Sequence, residues 1–579
     1  MAPTAPTGEA TAIRRGWLAR LGENPQQHLP PATGQDAQER QGMFKRLSRT
    51  AGLIGALTIT AWASSSLAVE APRLRTENGR HALIVDGKPF LILGAQTHNS
   101  SNYPAALPKV WPVVDKLNAN TLEVPVAWEQ FEPVEGRFDY SWVDTLLKQA
   151  RQNRVRLVLL WFGSWKNGES TYAPEWVKAD TARFPRLQRS DGRPTLTLSP
   201  LGEATLDADR RAFVQLMRHL RKADPRHTVI MVQVENEIGS HGAARDYSAA
   251  AEDLFAKPVP AEVLRASNKS AGTWAEAFGK EADQAFAAWT YARYVEKIAA
   301  AGKAEKRLPL YTNAAVFDAT GISMASQIAS GGPNWNVLPI WKAMAPSLDL
   351  IGPDLYLPME KVYLGLLDRY ALPDNALFVP ETSNAPWAAR YLWSALGRGA
   401  IGFSPFGMDN TSYSNYPLGA RTLDPPTIEA FAGLYRFFAP MSSEWADIAS
   451  RHPTWGSSKT LSGQDETTMG RWKVKVAYGR NSFDIAFPGA KPPPWSGEPV
   501  GGGVVAQLGP DEFLVAGQYS RFQFEPVDAS KNGQILSAEE GAFINGQWKT
   551  QRRWNGDQIH YGFNFIEEPA LLRVKLSTY

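Results

Sequence analysis

Val229-Ile230-Met231-Val232-Gln233-Val234-Glu235-Asn236-Glu237 runs from a β-branched, apolar interior straight into an Asn-Glu pair, with Gly239 two residues on. Amphipathic stretches lie on either side, at 207–222 and 273–301, each able to return the chain antiparallel. A strand bracketed in this way belongs to a βα unit of a parallel sheet. Working outward, similar β-branched or aromatic runs occur at 91–96, 121–128, 156–162, 309–313, 348–356, 377–381 and 400–406, with further helical patterns at 141–153 and 386–396. Eight strands so connected predict an α/β fold, a (β/α)8 TIM barrel over residues 69–440. Because such a barrel usually takes ~250 residues, large loop insertions are expected. The clearest is 241–270, rich in Ala, Ser, Asn and charge, which reads as an irregular excursion over the barrel mouth.

Past Met441 the texture changes to short alternating runs at 472–478, 482–487, 503–508, 512–516, 522–526 and 571–576, broken by Gly-, Pro- and Asn-rich turns. This predicts an all-β sandwich or jelly-roll accessory domain over 441–579, with 489–503 a loop by composition. Support of the barrel is the expected role, polysaccharide binding the alternative. At the other end, 1–42 is rich in Pro, Gln, Thr and Gly without periodicity and reads as disordered or as a mis-assigned start. Residues 43–68 follow the order of a signal peptide: basic Lys45, Arg46 and Arg49, an apolar run at 51–63, then the small residues Ser66-Leu67-Ala68. That apolar run is short of the ~20 residues a spanning helix needs. Export to the periplasm or the extracellular space is expected, with no stable membrane insertion after cleavage.

The 579 residues contain 44% hydrophobic side chains and no cysteine. Disulfides, thiolate nucleophiles, iron–sulfur clusters and Cys-ligated zinc are therefore excluded. The net charge is +3, and beyond the first 68 residues 54 basic side chains balance 54 acidic ones. A neutral body lacks the field that phosphate binding needs, so nucleic acid is not an expected partner. Twenty Trp point instead to sugars, whose apolar ring faces suit flat indoles.

Active sites of such barrels stand at the carboxyl ends of the strands. Strand four ends on Glu235-Asn236-Glu237 and strand seven on Pro380-Glu381, placing two carboxyls on opposite sides of one mouth. A retaining glycosidase needs this pair, a neutral acid and an ionised nucleophile about 5–5.5 Å apart. Strand alternation would aim both Glu235 and Glu237 inward, so either is a candidate acid. Other polar or aromatic candidates near strand ends are His98, Asn99, Asn313, Tyr356 and Asp409. Trp161, Trp165 and Trp387 are sugar platforms or core, and Glu132 reads as a loop brace.

The strings Val234-Glu235-Asn236-Glu237, Glu381 and Trp128-Glu129-Gln130-Phe131-Glu132-Pro133-Val134-Glu135-Gly136-Arg137-Phe138-Asp139 together resemble glycoside hydrolase family 35, the β-galactosidases, and more distantly family 42 of the same clan. The resemblance implies that Glu237 is the acid/base and Glu381 the nucleophile. It also implies that Asn236 bonds the sugar 2-hydroxyl, that Tyr356 orients the nucleophile, and that neither cofactor nor metal is needed. Animal and fungal members of that family carry an Ala-Glu or Asn-Glu pair after strand three, where this chain has Phe162-Gly163-Ser164-Trp165. The expected activity is therefore that of an exported, retaining exo-glycosidase taking terminal β-galactosides from plant cell-wall oligosaccharides or polysaccharides. An endo-acting β-glucanase or mannanase and an inactive carbohydrate-binding barrel are the alternatives.

Overall fold

The computed structural model describes residues 70–317, 329–479, 489 and 491–579. The readings made for 1–42, 43–68 and 482–487 lie outside the described residues. Eight parallel strands close into a barrel: Ile92–Gln96, Thr121–Ala127, Arg156–Lys166, Val229–Asn236, Leu310–Ala315, Leu350–Leu355, Phe378–Thr382 and Gly402–Pro405, numbered one to eight below. Strand eight pairs with strand one through Gly402 opposite Ile92, which completes the ring. Seven of the eight sequence runs coincide with these strands within two residues at each end. Strand three instead continues four residues beyond its predicted end, through Trp165 to Lys166.

Alternation along the strands builds two apolar layers. Val158, Leu160 and Phe162 point into the barrel with Ile230, Tyr311, Leu350 and Phe378, while Leu157, Leu159 and Trp161 point out toward the helices. Leu83 and Val85 join the inner cluster from a three-stranded antiparallel sheet formed by Arg73–Glu77, Arg80–Val85 and Lys88–Phe90. Outside, the helix Ser141–Asn153 buries Trp142, Val143, Leu146, Leu147 and Ala150 on one stripe and ends on Arg154 in the left-handed region. The helix Glu203–Ala223 packs against Ala282–Glu305 where Gly302 meets Phe213; a Cβ at Gly302 would lie 2.2 Å from that ring. The helix expected at 273–301 is broken at Gly279, whose φ of 55° divides Trp274–Phe278 from Ala282–Glu305. The excursion at 241–270 is more ordered than expected, with helices Ala249–Phe255 and Ala261–Ser267. Arg245 anchors it, ion-paired to Glu252 and Asp283 and stacked on Tyr247 and Phe255.

After the helices Pro425–Phe438 and Ser442–Arg451 the chain turns to antiparallel sheet at Thr454. A six-stranded sheet runs in the order Thr454–Ser458, Gly502–Gly509, Glu512–Gln518, Ala570–Thr578, Gly533–Ile544, Gln547–Arg553. A four-stranded one comprises Gln464–Met469, Trp472–Tyr478, Ser520–Pro526 and Phe563–Phe565. Trp472, Val474, Phe513, Val515, Phe522, Phe565 and Leu572 fill the space between them as one cluster. Backbone meets backbone where this sandwich joins the barrel. A Cβ on Gly397, at the end of the helix Tyr391–Gly397, would stand 1.8 Å from the amide nitrogen of Gly456. Among the described residues no helix is long and apolar enough to cross a membrane.

Candidate active site

Strand four ends under strain. Glu235 and Glu237 both take left-handed backbone angles, φ 62° and 44°, which non-glycine residues seldom adopt without support. The support for Glu237 comes from strand five: its N–H donates to Asn313 Oδ1 at 2.9 Å. The other end of that amide, Asn313 Nδ2, donates to Asp354 Oδ2 on strand six at 2.6 Å. Across the mouth Glu381 accepts from Gln96 Nε2 at 2.8 Å and from the Tyr356 hydroxyl at 2.5 Å. One carboxyl oxygen each of Glu237, Asp354 and Glu381 lies within 4.8 Å of the others. Lys166, almost wholly buried at the end of strand three, sets its Nζ 3.6 Å from Glu237 Oε2. The three acids stand close enough to share a cation, but an ammonium already faces them.

Burial pushes the Glu381 carboxyl above the ordinary glutamate range and Glu237 adds to the rise, while Lys166, Tyr356 and Gln96 restrain it. Asp354 is raised well above its ordinary value, by burial first and then by the charges of Glu381 and Glu237. Burial and the neighbouring carboxylates keep the Tyr356 phenol protonated, so it remains a donor to Glu381. A carboxylate held by two donors at fixed positions has its attacking oxygen oriented before any substrate arrives.

The bend at strand four separates the two glutamates that simple alternation would have aimed together. Glu235 turns away from the mouth, accepts the Trp165 N–H at 2.8 Å and lies against Asp209 of the helix Glu203–Ala223. Asp209 in turn accepts from Trp161 Nε1 at 2.8 Å and Ser164 Oγ at 2.6 Å. Burial raises both carboxyls, and their mutual repulsion raises Glu235 further, so the pair holds a proton. Glu235 is thus a buried bracket under the last residues of strand three. Glu235→Gln is expected to leave kcat/KM within a few-fold. The sign of its effect on stability follows from linkage. A carboxyl with a raised folded value contributes stability below its unfolded range and loses it as pH rises toward the folded value. The wild-type melting temperature should therefore fall with rising pH above the ordinary glutamate range, and the Gln variant should fall less over the same window.

The remaining predicted residues divide between mouth and core. Asn236 is fully buried, and neither its Oδ1 nor its Nδ2 has a protein partner. His98 Nε2 and Asn99 Oδ1 are likewise buried and unpartnered. Polar atoms enclosed in this way are costly unless something bonds them, which keeps these three as candidate ligand contacts. Asp409 is occupied: it accepts from the His98 N–H at 2.7 Å, His98 Nδ1 at 3.0 Å and Ser101 Oγ at 3.0 Å. Against the cost of burial, these bonds and Thr411 bring its carboxyl down to about 2, so Asp409 orients His98. Of the two readings open for Trp161 and Trp165, platform or core, the structure places both in the core. Trp161 faces outward against Phe131 and Phe213, Trp165 packs on Tyr291 and Tyr294 with its Nε1 on Leu198 O, and both are fully buried. Trp387 is half-buried against Tyr363 and Tyr391. Glu132 braces its loop, accepting from Trp128 Nε1 and the Gly136 N–H. Three site residues were missed: Gln96, Asp354 and Lys166. Asp354 lay in view two residues before Tyr356, whereas Lys166 was hidden by ending strand three at Phe162.

Residues 110–304 match the family model described as Beta-galactosidase, glycoside hydrolase family 42, and residues 431–566 match a domain of unknown function, DUF5597. The chain is 30% identical over 105 residues to Beta-galactosidase 11 of Arabidopsis thaliana, which covers 17% of this chain and 12% of that one. To a Beta-galactosidase of Xanthomonas manihotis it is 26% identical over 216 residues, 36% of this chain and 33% of the relative. The matched regions thus span a third or less of these curated relatives. Among solved structures, the β-galactosidase of Bacillus circulans sp. alkalophilus aligns at 13% identity with a TM-score of 0.46, over 62% of this chain and 57% of that one. The enzyme of the psychrophilic Marinomonas ef1 aligns at 11% and 0.46, over 62% of each. In sequence the chain is similar to β-galactosidases over part of its length, and the matching family model is that of family 42, which the motif reading had placed second to family 35.

Proposed function

We propose that the chain is an exported, retaining exo-glycosidase that removes terminal β-galactosyl units from plant cell-wall oligosaccharides. The observation that carries the mechanism is the approach of Glu237 and Glu381, with carboxyl oxygens within 4.8 Å across the mouth. An inverting enzyme separates its carboxyls by about 6.5–9.5 Å to admit a water beside the sugar, and an approach this close is nearer the spacing of a retaining pair. Glu381 attacks the anomeric carbon while Glu237 protonates the departing oxygen. Glu237 then deprotonates the water that releases the sugar. The sugar is assigned from the named relatives, and export from the order of basic, apolar and small residues in 43–68.

Galactose differs from glucose in one axial hydroxyl, so preference requires a buried partner for that group. With the strand-three carboxylate missing, His98 and Asn99 supply the free polar atoms. A panel of nitrophenyl glycosides should show higher kcat/KM for the β-galactoside than for the β-glucoside or β-mannoside. His98→Ala or Asn99→Ala should narrow that ratio by roughly tenfold or more, the worth of one buried hydrogen bond. A glucoside or mannoside preference would reject the sugar assignment. Product of inverted configuration, followed by NMR, would reject the mechanism.

A further inference from the structure

The reaction needs two carboxyls, and the mouth holds a third. Asp354 is fully enclosed, its Oδ2 accepts from Asn313, and one of its oxygens lies within 4.8 Å of an oxygen each of Glu237 and Glu381. Asn313 ties it directly to the acid, since the same amide holds the Glu237 N–H. On the opposite side is Lys166, with Phe162 beneath its ammonium at 5.3 Å.

Resting on the reading of Glu237 as the acid, we propose that Asp354 and Lys166 are positioning residues that set, with opposite signs, how tightly Glu237 holds its proton. Three carboxyls this close beside one cation do not all ionise together, so Asp354 and Glu237 share a proton and lose it as a pair. The second charge of the pair forms beside the first and is disfavoured, which keeps Glu237 protonated to higher pH. Lys166 works the other way, because its charge favours ionised Glu237. The other titratable groups around the three acids are the phenols of Tyr356, Tyr311 and Tyr370 and, deeper in the barrel, the carboxyl of Glu123. Burial raises the three phenols well above their ordinary range, so they carry no charge in the working range, and it raises Glu123 likewise.

The test is the pH profile of kcat/KM on an aryl glycoside with a poor leaving group, where the alkaline limb reports the acid. Asp354→Asn, which keeps the shape and the bond from Asn313, should move that limb down by about one pH unit. Lys166→Met should move it up by a similar amount, about tenfold in rate at a fixed pH on the falling side. On a dinitrophenyl glycoside, which needs little protonation, neither variant should show the displacement. Limbs that stay in place, or that move in the same direction, would overturn the proposal, as would equal losses at every pH on both substrates. Should Asp354→Asn not fold, an unmoved limb in Lys166→Met is by itself sufficient to reject it. Glu237→Gln separates the two levels of the argument: if that variant still shows the alkaline limb on the poor leaving group, Glu237 is not the acid. If the limb disappears there while the other two variants leave it unmoved, only the charge balance fails.

Discussion

Glu381→Gln is expected to abolish turnover on every glycoside, by about four orders of magnitude or more, with the fold intact. The amide has the carboxylate's shape, its one oxygen can still accept from Tyr356, and its NH2 can donate to Gln96 once that amide turns over, so the binding site should persist. What disappears is the charge and the nucleophilic oxygen, and both steps of a double displacement pass through that atom. Leaving-group activation cannot compensate, which distinguishes a nucleophile from an acid. A 2-deoxy-2-fluoro glycoside with an activated leaving group should label wild-type Glu381 and leave the variant unlabelled, a result read by peptide mass. Label on Glu237 or Asp354 would overturn the assignment.

Glu237→Gln should behave differently according to the substrate. Where the leaving group is an alcohol, the loss should reach about 10²–10⁴-fold, the range of a positioned general acid. Where it is dinitrophenolate, formation of the glycosyl-enzyme should proceed almost unimpaired, and release should become limiting because the same residue activates water. Azide added to Glu237→Ala should then restore turnover and give a glycosyl azide of retained configuration. Equal loss on good and poor leaving groups, without rescue, would place the acid elsewhere.

The barrel was legible because its strands are buried on both faces and so read as continuous apolar runs, while the helices between them carry one-sided stripes. The hairpin Gly533–Ile544 with Gln547–Arg553 was not, since one of its strands is exposed along almost its whole length and shows no apolar alternation. At the site, Glu237 and Glu381 were legible from their places at the ends of strands four and seven. The separate fate of Glu235 was not, because alternation assumes extended backbone, and left-handed excursions at 235 and 237, on either side of Asn236, cancel it. Trp161 and Trp165 stayed open between platform and core for a related reason. Nearness to a strand end locates a residue along the barrel axis, while the facing of its side chain depends on a register that only the closed sheet determines. Lys166 follows from the same irregularity: strand three slips between Trp161 and Lys166 against strand four, bringing a cation opposite Asn236.

The contact between Gly397 and Gly456 bears on how such proteins can be recombined. The helix that ends at Gly397 follows strand seven, the strand that carries Glu381, and its last turn touches the first strand of the sandwich with no side chain between. A cassette exchanged at this junction must bring a glycine at the matching place, or the intruding methyl group will lever apart the layer behind the nucleophile. The sandwich is therefore a poor candidate for free shuffling among barrels, and the two parts are expected to be inherited together.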